Sequence, residues 1–105
     1  LARAACYLCR DGAHPLTGGA PIVTNRQARR INSLMLTCGT YDAAGEFAYR
    51  IGLPCKSGVG GGILAVVPDH LTLVVWSPAL DETGNSVLGQ KALELFTQRT
   101  GLSIF

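Results

Sequence analysis

Long apolar runs and concentrated charge are both missing from this 105-residue sequence. No uninterrupted apolar stretch approaches the roughly 20 residues of a helical membrane span, which argues against a membrane partner. Charged residues make up 15% of the chain and aromatics 7%, and the seven Arg and two Lys are scattered apart from Arg26, Arg29 and Arg30. A nucleic-acid partner would require a basic stripe with stacking aromatics beside it, so none is expected. The start lacks a charged stretch leading into an apolar one, so no signal peptide is read there. Nor does any Ser, Thr, Asp or Asn precede Leu1-Ala2-Arg3-Ala4-Ala5 to cap its amides, and the segment reads as cut from a longer chain. Disorder is excluded by an apolar content of 48%. A chain of this length can bury roughly two thirds of its unfolded surface, enough for one modest globular core.

Four cysteines are present. Cys6 and Cys9 have the spacing of half a zinc site or of a redox pair, but Cys38 and Cys55, 17 residues apart, do not supply the other half. Reduced thiols in a cytosolic protein are the expectation. His14 and His70 stand beside Pro or Asp in loop sequence and read as solvated turn residues.

The first ten residues are rich in Ala and Leu and predict a helix stopped at Asp11-Gly12, followed by a loop to Pro21. Thr24 with Gln27 fits a capping box, and Ala28, Ile31, Leu34, Met35 and Cys38 recur at helical spacing, predicting a helix over 25–38 that Gly39 stops. A short amphipathic helix over 43–50 follows, with Phe47 and Ile51 on one face. Tyr41 therefore lies at a helix-to-helix junction, where side chains can reach a cleft. Ile63–Val67 and Leu71–Trp76, joined by Pro68-Asp69-His70, predict an antiparallel hairpin. Asn85 or Ser86 can cap a last helix carrying Val87, Leu88, Ala92, Leu95 and Phe96 toward a core, ended by Gly101. Helices, a hairpin and a terminal helix in that order make an α+β arrangement.

Between these elements runs Cys55-Lys56-Ser57-Gly58-Val59-Gly60-Gly61-Gly62. A phosphate-binding loop places its glycines before Lys-Ser/Thr, and here the order is reversed. Gly60-Gly61-Gly62-Ile63-Leu64-Ala65 matches G-x-G-x-x-A, but a dinucleotide fingerprint must open a helix and this one leads into a β-branched run. Taken alone, the glycines are explained by a strand bending closely against a neighbour.

Lys56-Ser57-Gly58 resembles the Lys-Thr/Ser-Gly box of the serine β-lactamase and penicillin-binding fold. Joined to Thr37-Cys38-Gly39-Thr40-Tyr41-Asp42 through Arg50, to Gly52-Leu53-Pro54, and to Trp76-Ser77-Pro78 through Asp81 to Gly84-Asn85-Ser86, it narrows further. The chain resembles the C-terminal part of a serine-dependent glutaminase of that fold, over nearly all of its length. It departs from the family's habit at Cys55, where a small residue such as Ala is usual, and at Thr40, where Met is usual.

The resemblance implies hydrolysis of L-glutamine to L-glutamate and ammonia, without a metal or organic cofactor. It implies that Tyr41 reaches the substrate amide and shuttles a proton, a task for which a phenol needs a neighbouring cation. It implies that the Val59 N–H stabilises the oxyanion, with Gly58 and Gly60 keeping the approach open and Lys56 and Ser57 adding positive potential and a hydroxyl to the wall. The nucleophile would come from Ser-x-x-Lys, yet no Ser here has Lys three positions later. That motif, and the Asn and Glu that hold the substrate's α-amino and carboxylate groups, are expected upstream on the same domain, with residues 1–105 as its C-terminal part and the isolated piece inactive. Homo-oligomerisation is a further expectation. The alternatives are a binding or assembly module that keeps the fold without the chemistry, and another β-lactamase-like serine hydrolase.

Overall fold

The computed structural model describes residues 1–105. Three α-helices pack around a three-stranded antiparallel sheet: α1 (Asn25–Cys38), α2 (Ala44–Arg50), β1 (Cys55–Ser57), β2 (Gly62–Val67), β3 (Leu71–Trp76) and α3 (Val87–Thr100). The sheet runs β1-β2-β3 in chain order, with Lys56 opposite Leu64 and Ile63 opposite Val75. This is the α+β order read from the sequence, with β1 added ahead of the predicted hairpin. No helix is long and apolar enough to cross a membrane.

Local chemistry sets the helix ends. Thr24 Oγ1 accepts from the Gln27 N–H at 3.2 Å while Gln27 Oε1 accepts from the Thr24 N–H at 2.9 Å, a reciprocal cap on α1. Ser86 caps α3 through the Gly89 N–H at 3.1 Å, and Gly101 ends it in the left-handed conformation. An Arg50–Glu94 ion pair at 2.8 Å ties α2 to α3 on the surface. The main core gathers Phe47, Ile51, Leu53, Cys55, Ile63, Ala65, Val67 and Leu93 between the sheet, α2 and α3. A second cluster packs Ala5, Leu8 and Cys9 with Met35 and Val66 against the opposite side of β2.

Three expectations are corrected. Residues 1–10 form turns and a 3-10 helix over Cys6–Cys9 instead of an α-helix. The chain turns at once after it, with the Gly12 N–H bonded back to Tyr7 O at 2.8 Å, so Ala5, Leu8 and Cys9 are buried by docking and not by helical periodicity. On α3 the inward residues are Gly89, Leu93 and Thr97, whereas Val87, Leu88, Ala92 and Leu95 are exposed. Gly89 allows a close approach on this face, since a Cβ there would stand 3.2 Å from the Val75 side chain and 2.7 Å from Ser86 Oγ. His14, finally, is buried rather than solvated. Its Nδ1 accepts from the Leu16 N–H at 3.0 Å, which leaves Nε2–H to donate to Arg3 O at 2.8 Å.

Candidate active site

The junction after α1 and the strand β1 meet at Gly39. Its carbonyl accepts from the Ser57 N–H at 3.0 Å, and its lack of a side chain lets Cys55 O approach to where a Cβ would be 1.9 Å away. Two residues later Tyr41 adopts φ +55°, a left-handed conformation that costs a non-glycine residue on the order of 1 kcal/mol or more. The turn of backbone brings its ring over Gly84 and its hydroxyl to 3.5 Å from Ser57 O.

On β1 the side chains alternate, so Cys55 and Ser57 point inward and Lys56 outward. Lys56 Nζ donates to the same Ser57 carbonyl at 2.5 Å and stands 5.1 Å from the Tyr41 ring centroid. A cation therefore stands beside the Tyr41 ring. The hydroxyl of Ser57 does not line the wall as expected: at 3% exposure it is turned into the protein, where it donates to Asn85 Oδ1. Its carbonyl is the part that faces Tyr41 and Lys56.

Past Ser57 the chain makes a tight turn, Gly58 N–H to Gly62 O at 2.9 Å and Gly61 N–H to Gly58 O at 3.0 Å. Val59 sits at the tip, 72% exposed, and its N–H makes no hydrogen bond within the chain. Gly61, at φ +98°, allows the turn to press against Ser77, whose carbonyl would meet a Cβ at 2.2 Å. Trp76 Nε1–H closes over the turn by donating to Gly60 O at 2.8 Å. Of the residues singled out from sequence, Tyr41, Lys56 and Ser57 converge on one carbonyl, and Gly58 and Val59 form the adjoining turn.

Sequence reasoning missed the polar group behind this wall. Asn85, fully buried, donates from Nδ2 to Thr40 O at 3.1 Å and to Thr83 Oγ1 at 2.8 Å. Asp81 accepts from the Asn85 N–H at 3.1 Å, from Thr83 Oγ1 at 2.7 Å and from Gln90 Nε2 at 2.6 Å. Burial pushes the Asp81 pKa up, but these bonds outweigh it and hold the carboxyl at about 2. The one cue in the sequence was Asp81 and Asn85 flanking Gly84, an arrangement suited to side chains that bond their own loop.

A cleft of about 320 Å³ lined by Leu8, Cys9, Arg29, Asn32 and Pro54, among others, shares none of these residues. A smaller apolar one of about 230 Å³, between Ile31, Leu34, Cys38 and Lys56, opens beside the wall. No three His, Cys, Asp or Glu side chains gather as a metal site, and all four cysteines are free thiols. Burial raises the pKa of Cys9, and that of Cys55 to about 12.

The protein-family model described as Glutaminase matches residues 1–105. Glutaminases of Sinorhizobium fredii and Streptomyces coelicolor are 58% and 59% identical over all 105 residues, which span 33% and 34% of those proteins. Among solved structures, the covalent complex of Bacillus subtilis glutaminase YbgJ with 5-oxo-L-norleucine superposes with a TM-score of 0.89 at 40% identity, covering 94% of this chain and 36% of that one. A probable glutaminase, ybaS, gives 0.86 at 43% identity, covering 94% of this chain and 32% of that one. The chain spans about a third of the length of the curated relatives it matches. By a match that runs from its first residue to its last, it belongs to the glutaminase family.

Proposed function

We propose that residues 1–105 supply the C-terminal part of a single catalytic domain whose parent protein hydrolyses L-glutamine to L-glutamate and ammonia. The observation that carries this reading is the convergence of the Tyr41 hydroxyl and the Lys56 ammonium on Ser57 O, next to a turn that presents a free Val59 N–H. In this reading a serine on the remainder of the domain gives its hydroxyl proton to a lysine there as its oxygen attacks the side-chain amide carbon. The carbonyl π electrons move onto oxygen, and the Val59 N–H donates to that oxyanion, a contact worth roughly 3 kcal/mol in the transition state. As the oxyanion collapses the C–N bond breaks, and ammonia leaves with the serine's former proton, delivered through Tyr41, which lies beside the Lys56 ammonium. Water then hydrolyses the acyl-enzyme to glutamate and regenerates the serine.

The covalent adduct that the Bacillus subtilis relative forms on reaction with 6-diazo-5-oxo-L-norleucine supports a nucleophile in such a domain. Ser57 takes part through its carbonyl and not its hydroxyl, which is committed to Asn85.

The test measures ammonia released from L-glutamine by the full-length protein, by its Tyr41→Phe variant and by the 105-residue chain alone. Tyr41→Phe is expected to lower kcat by about 100-fold or more, and the isolated chain to release no ammonia. Undiminished activity of Tyr41→Phe would remove Tyr41 from the mechanism. A full-length protein that binds glutamine without releasing ammonia would point to a binding module.

A further inference from the structure

Tyr41 needs something to hold it. Its left-handed backbone is a local cost, and its side chain is 42% exposed, so packing alone does not fix the hydroxyl. The residue before it is fixed: Thr40 is 1% exposed, and its carbonyl accepts from Asn85 Nδ2 at 3.1 Å. The oxygen end of the same amide, Oδ1, accepts a hydrogen bond from the Ser57 hydroxyl. One side chain therefore bridges the backbone that aims Tyr41 and the residue whose carbonyl receives both the Tyr41 hydroxyl and the Lys56 ammonium.

The amide suits this place for a chemical reason. A backbone carbonyl demands a donor and a serine hydroxyl that has turned inward demands an acceptor, and a carboxamide offers both within one short planar group. Asn85 is itself anchored, since its N–H donates to Asp81 Oδ1, which also accepts from the Thr83 N–H at 2.9 Å. Gln90 on α3 holds the second carboxylate oxygen. The chain of bonds thus runs from α3 through Asp81 and Asn85 to both sides of the site.

We propose that Asn85 is a positioning residue for the Tyr41 proton-transfer step, setting the distance between the Tyr41 hydroxyl and the β1 wall by clamping Thr40 and Ser57 together. This rests on the reading of Tyr41 given under Proposed function. Asn85 touches no reacting atom and acts only through the geometry of its two neighbours. Asn85→Asp keeps the size and the acceptor for Ser57 but sets an oxygen against the Thr40 carbonyl, releasing one jaw of the clamp.

The experiment uses the full-length protein and glutamine, with Asn85→Asp made in the wild-type and Tyr41→Phe backgrounds. In the wild-type background kcat is expected to fall about 10- to 100-fold, with KM within about threefold, as for a misplaced catalytic group. In the Tyr41→Phe background the further loss is expected to stay below about twofold, because the group being positioned is already gone. An equal loss in both backgrounds, or no loss in either, would overturn the proposal while leaving the glutaminase reading intact. An active site that releases no ammonia even as wild type would overturn that reading, and the proposal with it. Should Asn85→Asp not fold, Asn85→Ser, too short to reach the Thr40 carbonyl, takes its place under the same criteria. Failure of both to fold would count against a positioning role, since it would make Asn85 a requirement of the fold as a whole.

Discussion

Replacing Gly39 by Ala sets two effects of opposite sign against each other. Gly39 ends α1 at φ −79° and ψ −13°, a conformation open to any residue, so backbone entropy alone favours Ala by up to ~1 kcal/mol. Packing acts the other way. A Cβ would lie 1.9 Å from Cys55 O, 2.4 Å from Met35 O and 2.9 Å from Met35 Cα. All three are backbone atoms, with no rotamer to swing aside, and relieving the contact to Cys55 O requires α1 and β1 to separate by about 1 Å. Overpacking of this kind costs about 1–3 kcal/mol. The separation also breaks the Ser57 N–H bond to Gly39 O, leaving a donor of a buried residue unpaired at roughly 1 kcal/mol or more. The net expectation is a destabilisation of about 1–3 kcal/mol, a large share of a domain's total stability. A urea titration of the full-length protein reads it as a lowered midpoint, and kcat falls too because Ser57 O moves. A midpoint equal to or above that of the wild type would refute the close approach of α1 to β1.

Two further outcomes follow from the titrating groups. Because Asp81 holds its proton less tightly when folded, at about 2 against an ordinary 3.8, its contribution to stability is complete above about pH 4 and is lost as pH falls toward 2. Thermal melts between about pH 5 and 2 should show that slope, flattened in Asp81→Asn; an unchanged slope would remove Asp81 as its source. Cys55, whose thiol burial pushes up to about 12, should resist alkylation in the native protein at about pH 8 and react only on unfolding. Mass mapping of labelled peptides checks this, and rapid native labelling of Cys55 would contradict its place in the core.

What could be read from the sequence was what local chemistry decides. The capping pair Thr24 and Gln27, the stops at Gly39 and Gly101 and the start at Ser86 each act within four residues, and each marks an observed helix end. The hairpin Leu71–Trp76 against Ile63–Val67 was equally plain, since both runs are β-branched and apolar. Where docking overrides propensity, the sequence misled. The Ala- and Leu-rich opening lies against Met35 and Val66 as a 3-10 turn, and α3 turns Gly89 inward, close against Ser86 and Val75, and Leu88 outward. The site divides the same way. Tyr41, Lys56 and Val59 were expected from a family resemblance carried by contiguous motifs, whereas Asn85 contacts Thr40 across 45 positions and Ser57 across 28, and no local pattern marks such a pair.

The three strands follow one another in chain order, so the whole wall from Cys55 to Trp76 closes through two short turns. Contacts of such short range form early, before longer loops have had to close. The Val59 turn and the Ser57 carbonyl therefore lie in the part of the chain whose contacts are most local. The backbone before Tyr41, by contrast, is tied to Asn85 across 45 positions. Mutations in the Asp81–Asn85 loop should accordingly speed unfolding more than they slow folding, which stopped-flow folding and unfolding rates would read.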